Sequence, residues 1–315
     1  MSSNIFYKRE ILDLPPEAFM PNPKAGEMSD KIVRPSLHFW KDVWRRIKQN
    51  KVAMGGLIMI IVLSLMVAFV PLFTSYQYNV TDFGKANNFP SAEHWFGTDK
   101  LGRDLWSRVM IGGRVSLLVG FFGAIIPTIA GVIIGGISGY FGGVLDMLIM
   151  RIVDIIMCIP SLIYTIMIML YMGTGPIPII FALAITGWVG TCRSVRGLVL
   201  QLKVREFVLA SRAVGSSAMK IIWKHLIPNT MGIVVVGVTM RIPAAIFQEA
   251  FLSFIGLGIQ SPMTSWGQLA QVGGEVYRSF PYQLIFPSIF ICLTMLSFNL
   301  FGDGLRDALD PRMRT

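Results

Sequence analysis

Apolar and polar residues are not mixed evenly along this chain; they fall in blocks. Six blocks are long and apolar enough to read as membrane crossings: 52–73, 115–139, 147–172, 176–192, 229–257 and 282–302. A helix needs about 20 residues to cross roughly 30 Å of hydrocarbon. Only helices and closed barrels satisfy the backbone in lipid, and runs this continuous predict helices. The expected fold class is all-α, a polytopic membrane protein with six transmembrane helices. The fourth block is the shortest and carries Thr186, Gly187 and Trp188.

Between the blocks the pattern changes character. Residues 1–30 are rich in Pro and charge without a helical period, which predicts a loose tail. In 36–50, Phe39, Val43 and Ile47 recur every four residues, as do Trp40 and Trp44, and basic residues fill the other faces. That predicts an amphipathic helix lying in the membrane interface before the first span. In 74–114, Gly97 and Gly102 punctuate the chain, and Thr98 or Asp99 is placed to cap a following helix. The stripe of Leu105, Val109, Trp106 and Met110 predicts a helix along the outer mouth.

Within the second span Gly131, Gly135 and Gly139 are four apart and share one helix face. Small residues at this spacing let two backbones approach closely. Pro160 in the third span and Pro243 in the fifth are expected to weaken or kink their helices.

The polar stretch 193–228 stands out among apolar neighbours. It holds seven Lys/Arg against one acid, Glu206. Phe207, Ala210 and Val214 recur at three and four residues, giving a short helix one apolar face. Gly215 is placed for a turn, and Ser216 for the cap of a second helix carrying Ile221, Ile222 and Leu226. An amphipathic helix of this kind suits a groove on a partner.

The net charge of +10 is explained by where the charge sits. With the N-terminus inside, 20 of the 28 Lys/Arg fall in inner segments and six in outer ones. This is the positive-inside bias, and it accounts for the basic balance without nucleic acid. Fifty-one mostly polar residues precede the first apolar run, so no cleaved leader is expected. Cys158, Cys192 and Cys292 have no ligand spacing and read as small buried apolar side chains. His38, His94 and His225 all flank the spans. No metal site, cofactor or catalytic constellation is expected. There is no G-x-x-x-x-G-K-[ST], so the chain is not expected to bind or hydrolyse ATP itself.

Several stretches together resemble one family. HWFGTDKLGRDLWSRVMIGGRVSL (94–117), DMLIMRIVDIIMCIPSLI (146–163), REFVLASRAVGSSAMKIIWKHLIPN (205–229), EAFLSFIGLG (249–258) and SWGQLA (265–270) are similar to membrane permease subunits of ABC importers of the dipeptide/oligopeptide branch. The basic stretch resembles that family's EAA loop, whose Gly and Pro match Gly215 and Pro228. Its triplet is here Leu209, Ala210 and Ser211, so Leu209 stands where the namesake Glu would be.

The resemblance implies a type I importer fold with a cytoplasmic coupling helix–turn–helix. ATPase coupling would fall on Glu206, Leu209, Ala210, Ser211, Arg212, Gly215 and Pro228. It implies a second permease, two ATP-binding subunits and an extracytoplasmic substrate-binding protein. The chain then divides into a cytoplasmic tail with the interfacial helix (1–51), the first span (52–73), an extracytoplasmic segment (74–114), a core of five spans with the coupling loop (115–302) and a cytoplasmic tail (303–315). It is expected in the plasma membrane, with both termini cytoplasmic.

Four charges lie in spans. Arg151 and Asp154, three apart, are expected to form a structural ion pair; Arg241 and Glu249 are candidates for the translocation path. The expected function is a subunit of an ATP-driven importer of di- or oligopeptides. Two alternatives stay open: a permease for nickel or another small solute, and an ion-gradient-driven secondary transporter. The latter would need internal repeats and paired broken helices.

Overall fold

Residues 39–309 are described by a computed structural model. The expected loose tail 1–30 and the last residues, 310–315, lie outside them. The chain divides into two units, Met1–Asp42 and Val43–Thr315. Of the first, the described residues are 39–42, which are helical. They begin helix α1 (Phe39–Gln49). The rest of the fold belongs to the second unit.

In α1, Val43 and Ile47 of the expected stripe are buried and cluster with Leu305, while the Phe39 side chain lies outside what is described. Asn50 then ends α1 and starts α2 (Lys51–Phe73), its Oδ1 accepting from the N–H groups of Val52 and Ala53, each at 3.1 Å. The chain continues through α3 (Leu105–Phe141), α4 (Gly143–Cys158), α5 (Ser161–Met172) and α6 (Pro176–Leu202). Next come α7 (Glu206–Ala213), α8 (Ala218–Ile221), a π turn (Ile222–Leu226), α9 (Ile227–Phe254), α10 (Trp266–Glu275) and α11 (Tyr282–Leu309).

Five of these segments are long and apolar enough to cross a membrane, and α4 with α5 makes a sixth if the bent pair is one span. The bend is 84°. It falls at Ile159 and Pro160, where Pro disfavours helix for the residue before it and denies the next turn a donor. Pro243 does not have this effect, because α9 runs helical through it. The fourth span is longer than its apolar block, since α6 continues past Cys192 to Leu202.

The glycine ladder of α3 is where α6 packs. A Cβ on Gly135 would lie 2.5 Å from the Cys192 carbonyl, and one on Gly131 2.6 Å from that of Trp188. The two helices therefore meet backbone to backbone.

Residues 74–104 and 255–281 gather at one end of the helices, termed here the loop end. Asp99 organises it. Its Oδ1 accepts from the N–H groups of Leu101 and Arg103 at 2.9 and 3.0 Å, and its Oδ2 pairs with the Arg103 guanidinium at 2.7 Å. Asp104, not Thr98 or Asp99, caps the following helix by accepting from the Ser107 N–H at 2.8 Å. Asp104 also meets His94 Nδ1 at 2.9 Å. The stripe expected along the outer mouth is not a separate helix but the buried start of α3, with Val109 and Met110 fully enclosed. Of the three free cysteines, Cys192 is buried as expected, whereas Cys158 and Cys292 are exposed on the surface of the chain.

Candidate functional site

The polar stretch between α6 and α9 forms the opposite, or turn, end. Helix α7 carries Glu206 in its first turn and Arg212 in its last, each at the favourable pole of the helix dipole. Arg212 stacks over the Tyr140 ring with its guanidinium carbon 4.9 Å from the centroid. That contact ties α7 to the end of α3. Beyond Ala213 the chain reverses at Gly215, whose φ of +81° is the left-handed geometry glycine adopts without cost. The Ser216 N–H returns to the Ser211 carbonyl at 3.1 Å.

Ser217 rather than Ser216 caps the next helix, through the Lys220 N–H. Pro228 explains the π turn that follows. It has no N–H to return to the preceding turn, and the helix widens so that the Ile227 N–H reaches the Ile222 carbonyl. Asn229 Nδ2 donates to the His225 carbonyl at 2.6 Å.

The two faces of this hairpin differ sharply. Inward, Val208, Ile221, Ile222 and Leu226 pack with Val195 and Val199 of α6 and Val132 of α3. Outward, Phe207 is 41% exposed and Val214 86% exposed, with Ala210 exposed between them. The expected apolar face of α7 is thus uncovered by the rest of the chain. Leu209 is half exposed. Val208, the residue that seats α7 on the spans, escapes a reading centred on Phe207, Ala210 and Val214.

Two ion pairs sit just inside the hairpin. Arg196 of α6 donates to Asp146 of α4 through Nε at 2.5 Å and Nη2 at 2.6 Å, and Ser138 of α3 hydrogen-bonds the same carboxylate. Lys203 Nζ reaches the Gly139 carbonyl at 3.0 Å. The ends of α3, α4 and α6 are therefore fastened directly behind α7. The second pair corrects an expectation: Asp154 is held by Arg193 of α6, not by Arg151, which is exposed. A partner across the helix interface outcompetes one three residues along the same helix.

The two path candidates are placed very differently. Glu249 is fully enclosed within the chain. It accepts hydrogen bonds from Ser116 Oγ at 2.9 Å and Ser253 Oγ at 2.8 Å, and Ser116 Oγ in turn accepts from the Trp266 N–H at 3.2 Å. This arrangement binds α3, α9 and α10 together and leaves Glu249 no open face. Arg241 is half-buried; its Nη1 donates to the Gly187 carbonyl of α6, and the residue stays partly exposed.

The chain is similar to known proteins. The family described as binding-protein-dependent transport system inner membrane component matches residues 131–315. The N-terminal TM domain of oligopeptide transport permease C matches residues 38–90. The chain is 45% identical over 302 residues to the oligopeptide transport system permease protein OppC of Bacillus subtilis, covering 96% of this chain and 99% of the relative. It is 47% identical to the dipeptide transport system permease protein DppC of the same organism, covering 96% and 94%. It is 43% identical to the OppC of Haemophilus influenzae, covering 91% and 94%.

Proposed function

The chain belongs to the family of binding-protein-dependent transport system inner membrane components, and from that premise we propose that it is the permease subunit of an ATP-driven peptide importer. It forms the path together with a second permease, and ATP is hydrolysed by two separate subunits. An extracytoplasmic binding protein delivers the peptide at the loop end. The turn end faces the cytoplasm, as the positive-inside bias supports, and both termini are assigned to the same side of the membrane.

The observation that carries this reading is the uncovered apolar face of α7, Phe207, Ala210 and Val214, on a helix braced against three spans. A face of this kind fits a groove on an ATPase subunit. Closure of the ATPase pair then moves α7. The Arg212–Tyr140 stack and the Asp146–Arg196 pair carry the displacement into α3, α4 and α6. Coupling needs an element whose two positions differ in energy, and ATP binding supplies that difference through the docked helix. Glu206, Leu209, Ser211, Gly215 and Pro228 shape and flank the same hairpin.

The test is uptake of labelled peptide into liposomes holding the assembled subunits. Uptake that requires the ATPase subunits and ATP bears the proposal out. Peptide accumulation by this chain alone on an ion gradient would favour a secondary transporter instead. Cysteine labelling that finds position 212 accessible only from outside would refute the orientation.

A further inference from the structure

Arg241 lies near the middle of α9, with no carboxylate in ion-pair range among the described residues. The two arginines that follow Gly190 along α6 are already neutralised, Arg193 by Asp154 and Arg196 by Asp146. Arg241 is instead laid across two glycines of α6. It donates to the Gly187 carbonyl, and a Cβ on Gly190 would lie 3.1 Å from its Nη2. That single hydrogen bond uses one of the five donors a guanidinium offers.

The surroundings of Arg241 are partly open. Arg241, Ala244 and Gln248 are three and four residues apart and share one strip of α9. Ala244 is exposed, and Arg241 and Gln248 are partly so. Gly190 and Ser194 are exposed on the neighbouring face of α6. A charged group in a span is costly against lipid, so this strip faces water or another protein surface. In a two-permease assembly that is the shared interior.

We propose that Arg241 receives the C-terminal carboxylate of a peptide during its passage. This rests on the peptide-importer reading above. The planar fork of arginine matches a carboxylate through two parallel hydrogen bonds. The Gly187 carbonyl takes one N–H of Nη1, and the remaining N–H donors of this partly exposed side chain have no other acceptor among the described residues. Because the contact sits on an open strip with no enclosing wall in this chain, the carboxylate is held in transit and released.

The experiment uses the complete transporter in liposomes, with its binding protein saturated by one peptide, supplied either as the free acid or as the C-terminal amide. Initial ATP-driven uptake of both is compared between the wild type and Arg241→Gln. The ratio of the two rates, compared between wild type and variant, cancels any preference of the binding protein. We expect Arg241→Gln to slow the free acid by roughly tenfold, the size of one lost charge-assisted contact, and to leave the amide unchanged. Equal effects on both peptides, or on neither, would overturn the proposal.

A second variant covers the case in which Arg241→Gln does not assemble. Ala244→Glu places a carboxylate one turn from Arg241, where it competes for the guanidinium; Ala244→Gln is its control. Ala244→Glu alone is expected to depress free-acid uptake selectively, and no selectivity counts against the proposal. If the wild type takes up neither peptide with ATP, the importer reading falls and this one with it. Uptake with an unchanged ratio overturns this one alone.

Discussion

Arg196 and Asp146, 50 residues apart, are joined by two hydrogen bonds of 2.5 and 2.6 Å. The pair bridges the start of α4 and the last part of α6, immediately behind the helix whose apolar face the rest of the chain leaves uncovered. Its geometry is the fork-to-carboxylate arrangement, which is stronger and more directional than a single contact. Asp146 also holds Ser138, so three helix ends share one carboxylate.

Removing that carboxylate should loosen the link between the hairpin and α4. Asp146→Asn is expected to lower the thermal stability of the purified protein by an amount equivalent to about 1–3 kcal/mol. Peptide uptake should fall more than ATPase binding, because the docking face is untouched. The exchange Asp146→Arg with Arg196→Asp should recover part of the loss. Uptake that stays at the wild-type level in Asp146→Asn would rule out a transmitting role.

The two faces of α7 predict opposite failures. Val214→Asp places a charge on the exposed apolar face, so the protein should fold normally but co-purify poorly with the ATPase subunits. Burying Phe207 or Val214 in a partner contributes up to roughly 1.5–3 kcal/mol each, so Phe207→Ala should weaken binding by tenfold or more. Val208→Asp places its charge in the packed cluster against Val195 and Val199, and should reduce the yield of folded protein. Equal behaviour of Val208→Asp and Val214→Asp would contradict the two-faced hairpin.

The sequence exposes some of this architecture and hides the rest for physical reasons. The spans are legible because lipid demands long apolar runs. The glycine ladder is legible because four-residue spacing defines a face without knowledge of what packs there. The partners of Asp146 and Asp154 are not legible, because each pair depends on how α4 lies against α6. The same holds for Glu249. A carboxylate in a span reads as exposed to a path, whereas Ser116 and Ser253 enclose it. The break at Pro160 is foreshadowed by the proline, yet Pro243, also a proline in a span, leaves α9 unbroken. A proline in a span therefore does not by itself fix where the helix breaks.

Two glycines should respond differently to the same kind of change. Gly215 has open space around a built Cβ but a φ of +81°. A β-branched Val there should cost about 1–2 kcal/mol through backbone strain, and Asn less. Gly135 is ordinary helix, but its Cβ would meet the Cys192 carbonyl at 2.5 Å. Gly135→Val should force α3 and α6 apart and lower the yield of folded protein, while Gly215→Val leaves yield intact and raises protease sensitivity near the turn. Limited proteolysis and size-exclusion profiles separate the two outcomes.

At the loop end, Glu93 gives a pH dependence with a defined sign. Lys85 and then Tyr76 hydrogen-bond its carboxyl and hold it below the usual carboxylate range. A depressed folded-state value means the contact stabilises the loop above the unfolded value, and the contribution is lost as pH falls through the folded one. Acidification through that window should loosen the loop, seen as a change in Trp95 fluorescence. Glu93→Gln should abolish the change. A transition of the same size in that variant would assign the titration elsewhere.

Glu249 offers the sharpest contrast with Arg241, because both are ionisable residues of α9. If Glu249 served the path, Glu249→Gln would alter the discrimination between peptides while the fold stayed intact. Its enclosure by Ser116, Ser253 and the Trp266 backbone argues for the reverse. Replacing it with Leu removes the acceptor for both serine hydroxyls and leaves buried donors unpaired, at about 1–3 kcal/mol for each group. Glu249→Gln keeps one acceptor oxygen and should cost less. The expected order of thermal stability is wild type, then Gln, then Leu, with the ratio of free-acid to amide uptake unchanged in every variant that folds. A changed ratio in Glu249→Gln would put its carboxylate back in contact with the peptide.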